Sequence, residues 1–200
     1  ISACQDSGVK RLIYTSSPSV IFNGQDMAGV DESTPYPIKF ATHYSETKAI
    51  AEQEVVKASR KALLTISLRP HEIWGPGDNH IAPRLIARAK RLKQIGNGKN
   101  LIDTIYIDNA VDAHILAAEK LKENPSLSGR IYFISQGEPV LAWEMIDAIL
   151  RAAGLSPVKG KIPYRIAWLA GGILELAYRL LSLPGEPYIT RFTAYAVASS

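Results

Sequence analysis

Residues 41–70, ATHYSETKAIAEQEVVKASRKALLTISLRP, decide how this chain is read. The first part lacks Gly and Pro and reads as a helix running on through AEQEVVKASR. ALLTISLRP follows as an apolar run closed by Pro70, the pattern of a buried strand. Tyr44, Lys48, Ala51 and Val55 recur at helical spacing and mark the stripe expected to face the core. A phenol and an ammonium on such a stripe have a bland explanation, since lysine lays its stem along apolar surface and lifts its charge into water. With nine tyrosines in the chain, about half a Tyr-x-x-x-Lys match arises by chance, so the pair carries weight only in company.

Working outward, the same alternation recurs. ISACQDSGVK (1–10) reads as the tail of a helix stopped by Gly8, and VKRLIYTSS (9–17) as a buried strand ending in hydroxyls. IFNGQDMAGVDESTPYP (21–37) and HEIWGPGDNH (71–80) are Gly/Pro-rich and read as loops. IAPRLIARAKRLK (81–93) is a basic amphipathic helix. YIDNAVDAHILAAEKLKEN (106–124) is a helix that Asp108 or Asn109 is placed to cap. RIYFISQ (130–136) is a third strand, and LAWEMIDAILRAAG (141–154) a helix ended by Gly154. Strands alternating with helices of ten or more residues predict an α/β protein with a doubly wound parallel sheet covered on both faces. After about Gly137 helices take over, which predicts a second, smaller, mainly helical lobe.

Bulk properties narrow the function classes. At 46% hydrophobic and 21% charged, the chain has material for a real core. The net charge of +4 is mild and the basic residues are dispersed, which argues against a nucleic-acid partner. One cysteine, Cys4, excludes an internal disulfide framework and points to a reducing, cytoplasmic compartment. The absence of an initiator Met and the abrupt close TRFTAYAVASS suggest a fragment. The most apolar stretch is IPYRIAWLAGGILELAYRLLSLPG (162–185), whose uncharged run from Ile166 to Leu174 is too short to span a bilayer. The favoured reading is a helix buried in its own lobe; the rivals are an apolar wall for a substrate and a helix resting on a membrane surface.

Sites in parallel sheets form at the carboxyl ends of strands. YTSS is one such end and LRP another, so Thr15, Ser16, Ser17, Pro70, His71 and Glu72 are expected along one edge, beside the helix of Tyr44 and Lys48. That set suits proton transfer to an alkoxide. A tyrosine can donate the proton, but a free phenol titrates near 10. A lysine one turn away favours the phenolate, and a serine hydroxyl can hold the substrate oxygen. His43, His71, His80 and His114 show no metal-ligand spacing, and no metal is expected. Arg84, Arg88 and Arg91 form a basic helix face, read as solvated, with steering of an acidic substrate as the alternative.

The run RLIYTSSPSV, then HYSETKA, then LRPHEIWGPGDNH resembles the extended short-chain dehydrogenase/reductase family. With DTIYIDNA, YFISQGEP and LPGEPYITRF, the likeness within it is to the 3β-hydroxysteroid dehydrogenase and sterol-4α-carboxylate 3-dehydrogenase branch, over nearly the whole chain. The resemblance implies a Rossmann-type fold and NAD or NADP as cofactor. It makes Tyr44 the acid/base, Lys48 the holder of the nicotinamide ribose, and Ser17 the group on the substrate oxygen. Tyr44, Thr15, Ser16, Pro70, His71 and Ile73 fall along the cofactor, Ser19, Glu72 and Trp74 along the substrate, and Asp108 becomes a structural cap. Residues 1–137 would be the later part of the nucleotide domain, with 71–105 contributing to the substrate pocket, and 138–200 part of the substrate lobe. The implied substrate is a small-molecule lipid, with reduction of a 2-alkyl-3-oxoalkanoate foremost and 3β-hydroxysteroid or sterol-carboxylate oxidation as the runner-up. A nucleotide-sugar epimerase and a non-catalytic scaffold are weaker alternatives, and a homodimer and peripheral membrane contact stay open. The family's Gly-rich dinucleotide turn is not among these residues, and GNGKNL (96–101) does not replace it.

Overall fold

The computed structural model describes residues 1–60, 62–185 and 187–198; Glu186 of the LPGEPYITRF motif and residues 199–200 at the end of TRFTAYAVASS lie outside them. In chain order the elements are α1 (Ser2–Asp6), β1 (Arg11–Thr15), a 3-10 turn (Pro18–Ile21), α2 (His43–Lys57), β2 (Leu64–Pro70) and β3 (Glu72–Trp74). There follow α3 (Ile81–Arg88), β4 (Gln94–Ile95), β5 (Leu101–Ile102), β6 (Thr104–Tyr106), α4 (Ile107–Glu123), β7 (Arg130–Ile134) and β8 (Val140–Leu141). The chain continues through α5 (Ala142–Ala152), β9 (Lys161–Ile162), α6 (Tyr164–Leu180) and α7 (Arg191–Ala196). It folds as two compact units, Ile1–Pro76 with Asp103–Glu138, and Gly77–Ile102 with Pro139–Ser200.

In the first unit β1, β2 and β7 form a parallel sheet in the order β1-β2-β7, with Ile13 opposite Ile66 and Leu68 opposite Tyr132. The three apolar runs of the sequence are these three strands. Alternate residues of β2 serve opposite faces. Ile66 and Leu68 pack against Leu121 and Ala117 of α4. On the other face, Thr65 Oγ1 donates to Val55 O of α2 at 3.2 Å, and Arg69 pairs with Glu52 of α2. Helices therefore cover both sides of the central strand, the doubly wound arrangement that the alternation predicts.

Three local expectations are corrected in this unit. The inward stripe of α2 is Ser45, Ala49, Glu52 and Val55, not Tyr44, Lys48, Ala51 and Val55. Tyr44 is 57% exposed. On this row the buried Glu52 meets Arg69, a contact that an apolar count misses. Residues 71–80 are not all loop: β3 pairs in parallel with β6, Trp74 opposite Tyr106. The N-cap of α4 is Tyr106, with no side-chain cap bond. Asp108 instead sits in the first turn, where its charge favours the helix dipole, and Asn109 Nδ2 donates to Gln136 Oε1 at 2.9 Å.

The second unit packs α3 on α5 and α6 on α7. Its core is Ile95, Trp143, Ala167 and Ala194, and Trp143 Nε1 donates to Val197 O at 3.0 Å. β4 pairs with β9 in parallel, and β5 with β8 antiparallel. Asp78 accepts from the backbone N–H groups of Ala82, His80 and Ile81, which starts α3 and holds its carboxyl below the usual range. The reading of α6 as a buried helix is overturned: only Ala167 and Gly171 are buried among its described residues, while Ile166, Leu169, Ile173, Leu176 and Leu180 are exposed. A Cβ on Gly171 would stand 2.7 Å from Arg191 N, so this glycine lets α6 and the start of α7 touch. Among the described residues no helix is long and apolar enough to cross a membrane.

Candidate active site

Two strand ends and one helix start build the candidate site of the first unit. β1 ends at Thr15, and Ser16 N donates to Leu68 O at 2.6 Å, which fixes the departing chain against β2. Ser17 then caps the 3-10 turn: its Oγ accepts from Ser19 N at 3.2 Å and lies 2.9 Å from Ser19 Oγ. Pro18 opens that turn, and Val20 and Ile21 anchor it in a cluster with Ala49 of α2. Ser17 and Ser19 are thus held together at the carboxyl edge.

Thr42 starts α2, its side chain accepting from Ser45 N at 3.1 Å. Tyr44 follows in the first turn, near the positive end of the helix dipole. Its hydroxyl makes no hydrogen bond among the described residues. Lys48 lies one turn on. Its Nζ donates to the main-chain carbonyl of Thr15 and sits 4.5 Å from the centroid of the Tyr14 ring. The lysine therefore reaches the end of β1, on the flank of α2 rather than on its core stripe.

Thr15 has a second partner. His114 Nδ1 lies 2.7 Å from Ala110 O, so that nitrogen carries the proton. In the neutral ring Nε2 then accepts from Thr15 Oγ1 at 2.8 Å. β1, α2 and α4 meet at this one residue.

The β2 end carries the remaining cofactor-side candidates. Pro70 pairs with Ile134, and His71 N donates to Ile134 O at 2.9 Å. The His71 ring lies 5.6 Å from Phe133; burial pushes its pKa down, while the Asp103 carboxylate pulls the other way. On β3, Glu72 and Trp74 are exposed and Ile73 between them is half-buried. Trp74 stands edge-on to Tyr106 at 5.0 Å. The structure thus ties Thr15 to Lys48 and His114, and Ser17 to Ser19. Trp74 meets Tyr106 rather than Ser17 or Tyr44.

The sequence reading missed one network. Arg69 and Glu52 are 1% and 0% exposed in their side chains. Arg69 Nη2 donates to Glu52 Oε1 at 2.7 Å and Nε to Oε2 at 3.1 Å, and Tyr36 Oη donates to the same Oε1 at 2.7 Å. The guanidinium carbon lies 5.1 Å from the Phe133 ring centroid and 5.7 Å from that of Tyr36. Burial alone would raise the Glu52 carboxyl; hydrogen bonds from Arg69 and Tyr36, and the Arg69 charge, bring it below the usual range. Tyr36 is pushed up to about 12, by burial first and then by Glu52. The signal was present in the sequence, since a charge inside the buried strand ALLTISLRP demands a partner.

The Lys48 ammonium and the Thr15, Ser17 and Ser19 hydroxyls lie along this edge, with Tyr44 one helical turn before Lys48, donors and acceptors that suit ribose hydroxyls and a carbonyl oxygen. Gly96 and Gly98 lie between the two-residue strands β4 and β5, with β6 rather than a helix next, so GNGKNL forms no helix-starting phosphate cradle.

The model of the 3-beta hydroxysteroid dehydrogenase/isomerase family matches residues 1–163. A 2-alkyl-3-oxoalkanoate reductase of Shewanella oneidensis is 45% identical over 210 residues, covering 100% of this chain and 54% of that protein. The mouse (Mus musculus) sterol-4-alpha-carboxylate 3-dehydrogenase, decarboxylating, is 38% identical over 187 residues, covering 91% of this chain and 52% of that protein. Among solved structures, the UDP-glucose 4-epimerase of Thermus thermophilus in complex with NAD aligns with a TM-score of 0.61 at 26% identity, covering 81% of this chain and 54% of that one. The chain spans about half the length of the curated relatives it matches.

Proposed function

The chain belongs to the 3-beta hydroxysteroid dehydrogenase/isomerase family, and from that premise we propose that the protein carrying it is an NAD(P)-dependent oxidoreductase acting on a bulky lipid. The reaction we assign is reduction of a 2-alkyl-3-oxoalkanoate to the 3-hydroxy acid, in line with the more similar of the two relatives. Oxidation of a 3β-hydroxysteroid or sterol 4-carboxylate is the second reading, and the mouse relative favours it.

The observation that carries the reading is the bond from Lys48 to Thr15, one helical turn from Tyr44. Lys48 and Thr15 would hold the ribose end of the cofactor, with Ser16, Pro70, His71 and Ile73 along the same edge. When bound, the nicotinamide supplies or accepts the hydride. Ser17 donates to the substrate oxygen and orients it. Tyr44 gives its hydroxyl proton to the alkoxide as that charge develops. The Lys48 ammonium and the start of α2 stabilise the phenolate left behind. In the oxidative direction the same proton returns to Tyr44. Ser19, through Ser17, and the exposed Glu72 and Trp74 are the substrate-side candidates.

The exposed apolar face of α6, with Arg165 and Arg179 at its edge, supports an acyl or sterol substrate with an acidic head. A membrane surface or a second copy of the chain is the other occupant that such a face would take. The assay is direct. The intact enzyme is given synthetic 2-alkyl-3-oxo acids with NADH or NADPH, and the hydroxy acid is measured by mass spectrometry. Turnover confined to sterol 4-carboxylates would select the second reading, and turnover of neither class would reject both.

A further inference from the structure

The helix that carries Tyr44 and Lys48 has no strong apolar stripe to fix its rotation. Its buried positions are Ser45, Ala49, Glu52 and Val55. The neighbouring row, Tyr44, Lys48, Ala51 and Val55, offers as much apolar surface. Apolar content alone therefore does not choose between two rows about one residue apart, although Ala49 of the observed row packs with Val20 and Ile21. What separates them is a charge. In the observed rotation Glu52 meets Arg69 through two guanidinium nitrogens, with Tyr36 on the same carboxylate. In any other rotation Arg69 stays buried on β2 without its counter-charge, which is strongly unfavourable.

The placement of the pair matters as much as its strength. Glu52 stands one turn beyond Lys48, and Arg69 directly precedes Pro70 and His71 at the end of β2. Phe133, which stacks on Arg69, also faces His71. One buried contact thus sets α2 against the same strand ends that carry the candidate cofactor edge.

We infer that Glu52 and Arg69 are positioning residues: their buried pair fixes the rotation of α2 and so delivers Lys48 to Thr15 and Tyr44 to the reacting centre. The second half of this inference rests on the function proposed above; the first half does not. Buried ion pairs often serve uniqueness more than stability, because a well-packed apolar replacement can be as stable.

The test uses the intact enzyme with Tyr36→Phe, Glu52→Leu and Arg69→Met combined, which removes the charges and the hydroxyl that would be orphaned with them. The melting temperature should stay within a few degrees of wild type. kcat should fall about tenfold or more, the pH profile of kcat should move to higher pH, and a crystal structure should show Lys48 Nζ away from Thr15 O. If the triple variant does not fold, Arg69→Lys keeps a charge but loses the fork, and should show the same changes more weakly. A folded variant with Lys48 still on Thr15 and an unchanged kcat and pH profile overturns the inference. If Lys48 moves but wild-type enzyme transfers no hydride to any 3-oxo lipid, the positioning stands and the proposed reaction falls.

Discussion

The ammonium of Lys48 donates to the main-chain carbonyl of Thr15, which ties the first turns of α2 to the carboxyl end of β1. One residue thereby receives a helix through its backbone and, through its hydroxyl, His114 of a second helix. The consequences can be measured.

Replacing Lys48 by Met keeps the stem and removes the charge. A hydrogen bond from a charged donor is worth about 1.5–3 kcal/mol, so nucleotide affinity should fall roughly ten- to a hundredfold. Isothermal titration of the intact enzyme with NADH and NADPH reads this directly. Unchanged affinity for both would remove Lys48 from the cofactor site.

Gly171 and Gly172 should respond oppositely to alanine. A Cβ at Gly171 would sit 2.7 Å from backbone atoms of Thr190 and Arg191, so Gly171→Ala must push α7 away and lower the melting temperature. At Gly172 the nearest atom is the Arg191 side chain at 3.4 Å, and alanine gains helix propensity of about 1 kcal/mol. Equal effects in thermal melts would mean that the contact between α6 and α7 is not as drawn.

Stability should fall in acid in two stages. His71 is held neutral by burial, so its folded pKa lies below the unfolded value. Its contribution is complete above about pH 6.5 and shrinks as pH falls below that. Glu52 and Asp78 have depressed folded pKa values, so theirs is complete above about pH 4 and is lost as pH falls through those values. Urea midpoints across pH 3–8 should trace both steps. Asp78→Asn should weaken the lower step, and a midpoint independent of pH below 4 would contradict both carboxylate assignments.

How much of this was legible in the sequence follows from the kind of signal each feature leaves. β1, β2 and β7 are buried parallel strands, and such strands read as apolar runs, so the sheet was visible at once. β3 was hidden in HEIWGPGDNH because three residues between glycines and a proline leave no periodicity. The rotation of α2 was misread because its deciding contact is polar: Glu52 looks like a surface residue until Arg69 is found beneath it. For α6 the same composition that suggested burial describes an exposed apolar face, and sequence cannot say what covers it. In the site, strand ends led to the expectation that Thr15 and the β2 end share one edge, while helix spacing put Lys48 on the core stripe rather than on the flank from which it reaches Thr15. The part played by His114 depended on a contact spanning 99 residues of sequence, which leaves no local pattern.

If the exposed face of α6 holds the lipid, substrate length should register in kcat/KM. Over a series of 2-alkyl-3-oxo acids, each methylene laid against that face should add up to about 0.8 kcal/mol, close to a fourfold gain. Polar substitutions at Leu169, Ile173 or Leu176 should flatten the series. A flat series in the wild type, with weakened vesicle binding in the variants, would assign the face to a membrane surface; a concentration-dependent loss of dimer would assign it to a second copy.

The most direct test concerns Tyr44. In the intact enzyme Tyr44→Phe removes one oxygen from an exposed side chain, so the fold and nucleotide binding should be unchanged. If Tyr44 is the proton donor, kcat should fall by about two orders of magnitude or more, with nucleotide affinity within about twofold of wild type. A variant that keeps more than about a tenth of wild-type turnover would contradict the account at its centre.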